Sequence, residues 1–138
     1  MAESHMLRYR DLPEIDRGTG VTTRLLVSRR LGAEGLTSGI TSFQPGSKIA
    51  RHWHNCAESV VILDGEAVCE IDGELHTMSQ YDTTFVPENV PHRFLNQTDR
   101  PMSILWTYAA TYVTRTFADT GVTVEHLSES DKATAPTA

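Results

Sequence analysis

The segment RHWHNCAESVVILDG, Arg51 to Gly65, decides how this chain is read. It sets His52 and His54 one residue apart, follows them with Glu58, and runs through Val60, Val61, Ile62 and Leu63 into Asp64-Gly65. A short β-branched run reads as a strand, and Asp-Gly between two such runs is a hairpin signal. Side chains alternate between the faces of a strand, so His52, His54 and Glu58 share parity and point one way. Glu58 lies further along and needs a local bend to converge with the histidines. Imidazoles with a carboxylate suit a divalent first-row metal, although a lone H-x-H pair more often marks a solvated strand.

Outward from this segment, short β-type runs recur between turn residues. Val21–Ser28 reads as a first strand and Leu36–Phe43 as a second, with Gly39 marking a bulge or a close approach. After Pro45-Gly46 come Ile49–His54, Ser59–Leu63, Glu66–Asp72 and Leu75–Met78, with Gly73 turning the last two back on each other. Thr83–Val86, Pro91–Asn96, Met102–Tyr108 and Tyr112–Phe117 complete the set. Many short strands with Gly and Pro between them predict an all-β sandwich or barrel in a single domain. The polar stretch after Leu127, SESDKATAPTA, is expected to be disordered.

Composition narrows the function classes. The 138 residues suit one domain, and a net charge of −6 with no basic run argues against a nucleic-acid groove. No apolar run approaches the roughly 18–20 residues of a membrane span. Cys56 and Cys69 are too few for a disulfide framework. MAESHMLRYR carries no hydrophobic leader, so a cytoplasmic location is expected; Ser4-His5-Met6 reads as a cloning remnant, and residues 1–5 are set aside.

Read whole, GSKIARHWHNCAESVVILDG, with Gly46, His52, His54, Glu58 and Gly65 in their places, resembles the first signature motif of the cupin superfamily. YDTTFVPENVPHRFLN resembles the second, through Pro87, His92 and Asn96. That motif departs from the family where Tyr81 and Asn89 stand in place of glycines; Asn tolerates a left-handed backbone, Tyr less so. The resemblance covers roughly residues 35–118. It implies a double-stranded β-helix, or jelly roll, over 20–118, after an N-terminal arm (1–19) and before a C-terminal segment (119–138). It also implies a divalent metal bound by His52, His54, Glu58 and His92, with Fe(II) expected first and Mn, Ni, Zn or Cu as alternatives.

A divalent ion, three neutral imidazoles and one carboxylate leave a net +1, which favours a small anionic oxygen ligand. Phe85, Phe94, Asn96, Ile104, Trp106 and Tyr108 are the expected pocket residues, with Tyr108 and Glu58 as catalytic candidates. Cys56 reads as a small buried hydrophobe, His76 as a solvated strand residue and His126 as idle. Arg51, Trp53 and Arg93 have the opposite parity to the ligands and belong outside the cup. The expected function is a metal-dependent enzyme with dioxygenase or oxidoreductase chemistry leading. A Lewis-acid isomerase, lyase or cyclase and a non-catalytic sensing cup are the alternatives. Family habit implies a homodimer, with TTRLLVS as a possible pairing edge.

Overall fold

The structure is a computed structural model and describes residues 3–135. Twelve strands run in chain order. The first four are β1 (Ile15–Gly18), β2 (Val21–Leu25), β3 (Thr37–Phe43) and β4 (His52–His54). Next come β5 (Glu58–Asp64), β6 (Ala67–Ile71), β7 (Glu74–Met78) and β8 (Thr83–Val86). The last are β9 (His92–Leu95), β10 (Met102–Tyr108), β11 (Thr114–Phe117) and β12 (Thr123–Glu125). They form two six-stranded antiparallel sheets, ordered β1-β2-β3-β10-β5-β8 and β12-β11-β4-β9-β6-β7. This is the jelly roll that the sequence predicts. Among the described residues no helix is long and apolar enough to cross a membrane.

Alternation explains the core. Along β10 the burial pattern alternates strictly, with Met102, Ile104, Trp106 and Tyr108 turned inward. Val60 and Ile62 of β5, Cys69 of β6 and Phe117 of β11 are inward too, and burying each such side chain is worth roughly 1.5–3 kcal/mol. Gly39 of β3 sits opposite Trp106 in an unbroken register, and a Cβ there would collide with the Trp106 indole. The glycine therefore marks a close approach, not a bulge.

Several expectations need correction. Asp64-Gly65 does not close a hairpin: β5 and β6 belong to different sheets, and Gly65, at φ 77°, carries the chain across. The hairpin lies one turn later, where Asp72 and Gly73 (φ 49° and 88°) join β6 to β7 with Ile71 opposite Glu74. The N-terminal arm supplies β1, which pairs with β2; TTRLLVS thus lies between β1 and β3 and offers no free edge.

The C-terminal segment is ordered as far as Ala133. Ala133 N–H donates to Arg17 O at 2.8 Å, Ala50 N–H donates to Ala133 O at 2.7 Å, and Asp131 is only 1% exposed. Its polar, small composition carried no sign of this, because hydrogen bonds and one buried charge hold it, not apolar area. The end of that stretch, residues 136–138, falls outside the described residues.

Candidate metal centre and its cavity

β4 and β9 are neighbours, and their register sets His52 directly opposite His92. His54 follows on the same inward face, and all three rings are buried. Their centroids lie 4.5–5.2 Å apart, and one ring nitrogen from each lies within 4.8 Å of the others. Glu58 reaches this triangle by a different route from the one its parity suggested. Residues 55–57 carry the chain from one sheet to the other, so the Glu58 carboxylate faces the histidines across the barrel.

The hydrogen bonds orient each ring. His52 Nδ1 donates to Ala50 O at 2.7 Å, His54 Nδ1 to Thr114 O at 2.9 Å and His92 Nδ1 to Val90 O at 2.8 Å. A carbonyl can only accept, so each Nδ1 carries the proton and each Nε2 of a neutral ring presents its lone pair inward. Burial first, then the charge of Arg115 and the neighbouring rings, holds His52 well below its ordinary pKa of 6.5. Burial does the same to His54 against the opposing pull of Glu58. Glu58 Oε1 stands 2.9 Å from His92 Nε2, yet neither atom has a hydrogen-bond partner of proper geometry. Two buried acceptors facing each other are costly unless a cation stands with them. Burial would raise the Glu58 carboxyl, but the positive charge that His92 and His54 carry when protonated, with that of Arg115, outweighs it and holds the group below its usual value, so positive charge at the rings and an ionised Glu58 go together. His52, His54 and His92 could hold a metal ion, and the lone pairs and unpaired carboxylate beside them fit a divalent cation.

A cavity of about 20 Å³ opens beside the triangle, room for roughly one water. Phe94, Ile104, Trp106 and Tyr108 line it. The Tyr108 hydroxyl donates to His54 Nε2 at 3.3 Å, and the Trp106 indole N–H donates to Thr41 Oγ1 at 2.8 Å. Burial and Glu58 push the Tyr108 phenol well above its usual pKa, so it stays protonated.

Two of the expected pocket residues lie elsewhere. Phe85 is 70% exposed, because β8 is an edge strand whose inward positions are Thr84 and Val86. Asn96 is buried, but beyond the end of β9. There its amide donates to the carbonyls of Phe43, Gln44 and Arg100 and its oxygen accepts from Thr98, so it ties loops together. Arg51, Trp53 and Arg93 are half-buried on the outer face, where Arg93 pairs with Glu70 at 3.2 Å. Cys56 and Cys69 are free and buried, with burial and then Glu58 pushing their thiols up to about 11 and about 12. His76 is exposed on β7.

The rest of the wall was not anticipated. Arg17 of β1 and Arg115 of β11 both line the cavity and flank Asp131, with Arg17 Nη2 at 3.0 Å and Arg115 Nε at 2.9 Å from its carboxylate. His126, expected to be idle, stands edge-on to Trp106 and Tyr108, with centroids 4.9 and 5.0 Å away. It also lines a neighbouring pocket of about 180 Å³ that includes Arg29 and Arg30, so it forms the wall between the two spaces. The motif spacing pointed to none of these groups; the alternation of Arg115 with its neighbours in β11 was the one usable signal.

A family model described as Cupin domain matches residues 39–108, half of the chain. The chain belongs to the cupins. This cupin is 30% identical over 97 residues to a polyketide synthase protein, CurC, of Streptomyces cyaneus, an alignment covering 67% of this chain and 62% of that one. Among solved structures it is similar to a sugar phosphate isomerase of a cupin superfamily from Silicibacter pomeroyi: TM-score 0.74, 22% identity, 88% of this chain and 86% of that one. It is also similar to the polyketide cyclase RemF from Streptomyces resistomycificus: TM-score 0.72, 14% identity, 95% and 91% covered. At such identities the likeness to the two structures is one of fold.

Proposed function

We propose that this cupin is a metal-dependent enzyme that acts on a small oxygen-rich anion by proton transfer, as an isomerase, lyase or cyclase does. His52, His54, His92 and Glu58 would hold the ion, with Glu58 as the ligand that can let go. A divalent ion there would supply Lewis acidity toward a carbonyl oxygen. The observation that carries the reading is the Tyr108 hydroxyl, a buried and protonated donor 3.3 Å from His54 Nε2 and so directed at the candidate centre. Such a donor can hydrogen-bond an oxygen on which negative charge develops. Glu58, ionised and short of hydrogen bonds, is the candidate base for a proton on the neighbouring carbon. The isomerase and cyclase named above, which match this chain over most of their length, favour the same class of chemistry.

The donor set itself supports a second reading: three imidazoles and a carboxylate also suit Fe(II) and dioxygen chemistry, the class the sequence put first. One experiment separates the two. Protein loaded with Fe(II), Mn(II) or Zn(II) is given β-dicarbonyl and hydroxy-acid substrates, and oxygen uptake and exchange of the α-proton into D2O are both followed. Exchange without oxygen uptake, reduced about 100-fold or more in Tyr108→Phe, is the expected result. Oxygen consumed in step with substrate would replace it with the second reading. If a His52→Ala, His54→Ala double variant binds divalent metal as well as the wild type does, both readings fall. A homodimer in the cytoplasm remains part of the proposal.

A further inference from the structure

Arg115 is 3% exposed, yet its guanidinium is only partly engaged. Nε lies 2.9 Å from Asp131 Oδ1 without hydrogen-bond geometry, Nη1 makes no hydrogen bond of proper geometry, and the nearest other polar group is the Tyr108 hydroxyl at the metal end. Arg17 differs. It donates Nε to Asp131 O at 2.9 Å and Nη1 to Thr23 Oγ1 at 3.0 Å, so only its Nη2, 3.0 Å from Asp131 Oδ2, lacks hydrogen-bond geometry. A clamp for the C-terminal segment would need only Arg17. A second buried arginine with an idle nitrogen on the cavity wall is costly unless something else takes that nitrogen.

Charge points to what that is. Arg17, Arg115 and Asp131 together contribute +1 to the cavity wall. A divalent ion with Glu58 contributes another +1, for a total of +2 in a buried space. From the idle Nη1 and this balance we infer that Arg115 is a substrate anchor, and that the cavity takes a dianion with one oxygen group at the metal end and a carboxylate at Arg115. This rests on the metal reading above and adds the substrate class to it. Guanidinium suits the second group, since a free N–H edge recognises a carboxylate by direction as well as charge. The inner cavity alone is too small for such a ligand. The pocket of about 180 Å³ behind His126 supplies the remaining room, and the His126 ring is what must turn aside to join the two.

The test uses the whole, zinc-loaded protein and a matched pair of probes. Succinate and butyrate have the same number of carbons and differ by one carboxylate, and succinate is too long to chelate one ion well. Calorimetric titration should show succinate binding at least about 10-fold more tightly than butyrate, the range of one charge-assisted hydrogen bond. Arg115→Gln should abolish that preference while leaving butyrate and zinc affinity within about threefold of wild type. Arg115→Lys keeps a cation beside Asp131 and serves where the Gln variant fails to fold; with its one ammonium held by Asp131, it too should lose the preference. Equal affinity of wild type for the two probes, or an undiminished preference in either variant, would overturn the assignment of Arg115 alone. Failure of zinc to load would overturn the metal reading, and this one with it.

Discussion

The two ends of the cavity are built in opposite ways. At one end three imidazoles come from β4 and β9, adjacent strands of one sheet, and each is oriented by a backbone carbonyl within its own neighbourhood or on β11's first residue. At the other, Arg17, Arg115 and Asp131 come from β1, β11 and the C-terminal segment, and Arg17 bonds to a residue 114 positions away. The first end is a local device of paired strands; the second exists only once the termini have closed over the barrel. The imidazole cluster is thus set by the middle of the chain, and its enclosure is set by the ends.

Removing the centre of the arginine end tests this contrast most severely. Asp131→Ala leaves two buried guanidinium groups without their shared carboxylate and should cost about 3–5 kcal/mol in denaturant unfolding. A loss under 1 kcal/mol would mean that the termini are not clamped by this charge. The imidazole end should respond instead to acid. His52 and His54, and with them His126, are held below 6.5 in the fold, so the unfolded chain binds more protons as pH falls below that value, and stability declines. Each contributes about 1.4 kcal/mol per pH unit below that value, so metal-free protein should lose roughly 4 kcal/mol between pH 7 and 5.5. Asn at His52 and His54 should remove about two thirds of that loss.

Between the two ends, Gly39→Ala drives a methyl group into Trp106 and should cost about 1–3 kcal/mol, with a change in Trp fluorescence as the indole shifts. The smallest effect lies outside the cavity. Tyr81 holds φ 72° where the family pattern has glycine, and Tyr81→Gly should stabilise by up to about 1 kcal/mol, with ligand binding unchanged.

This division explains what could be read from the sequence. Strand positions from Val21 to Phe117, and the histidines with Glu58, were legible because hydrophobic alternation and motif spacing are local signals. β1 and β12 carry too few apolar residues to announce themselves; Arg17, Arg115 and Asp131 drew no expectation, and His126 read as idle, because nothing nearby in the chain reveals their partners. Phe85 and Asn96 failed for a different reason. Parity says which residues share a face; it cannot say which face is inside on an edge strand, nor does it persist beyond the strand's end.

Trp106 is fixed from behind, by Thr41 at its nitrogen and Gly39 against its ring; the histidine that meets it edge-on is His126, not one of the three at the candidate centre. The bore of the cavity is therefore adjustable independently of the candidate metal-holding groups. Exchanging that indole for a phenyl or a leucyl group would enlarge the cavity while leaving the three imidazoles and Glu58 in place, a direct handle for admitting bulkier guests.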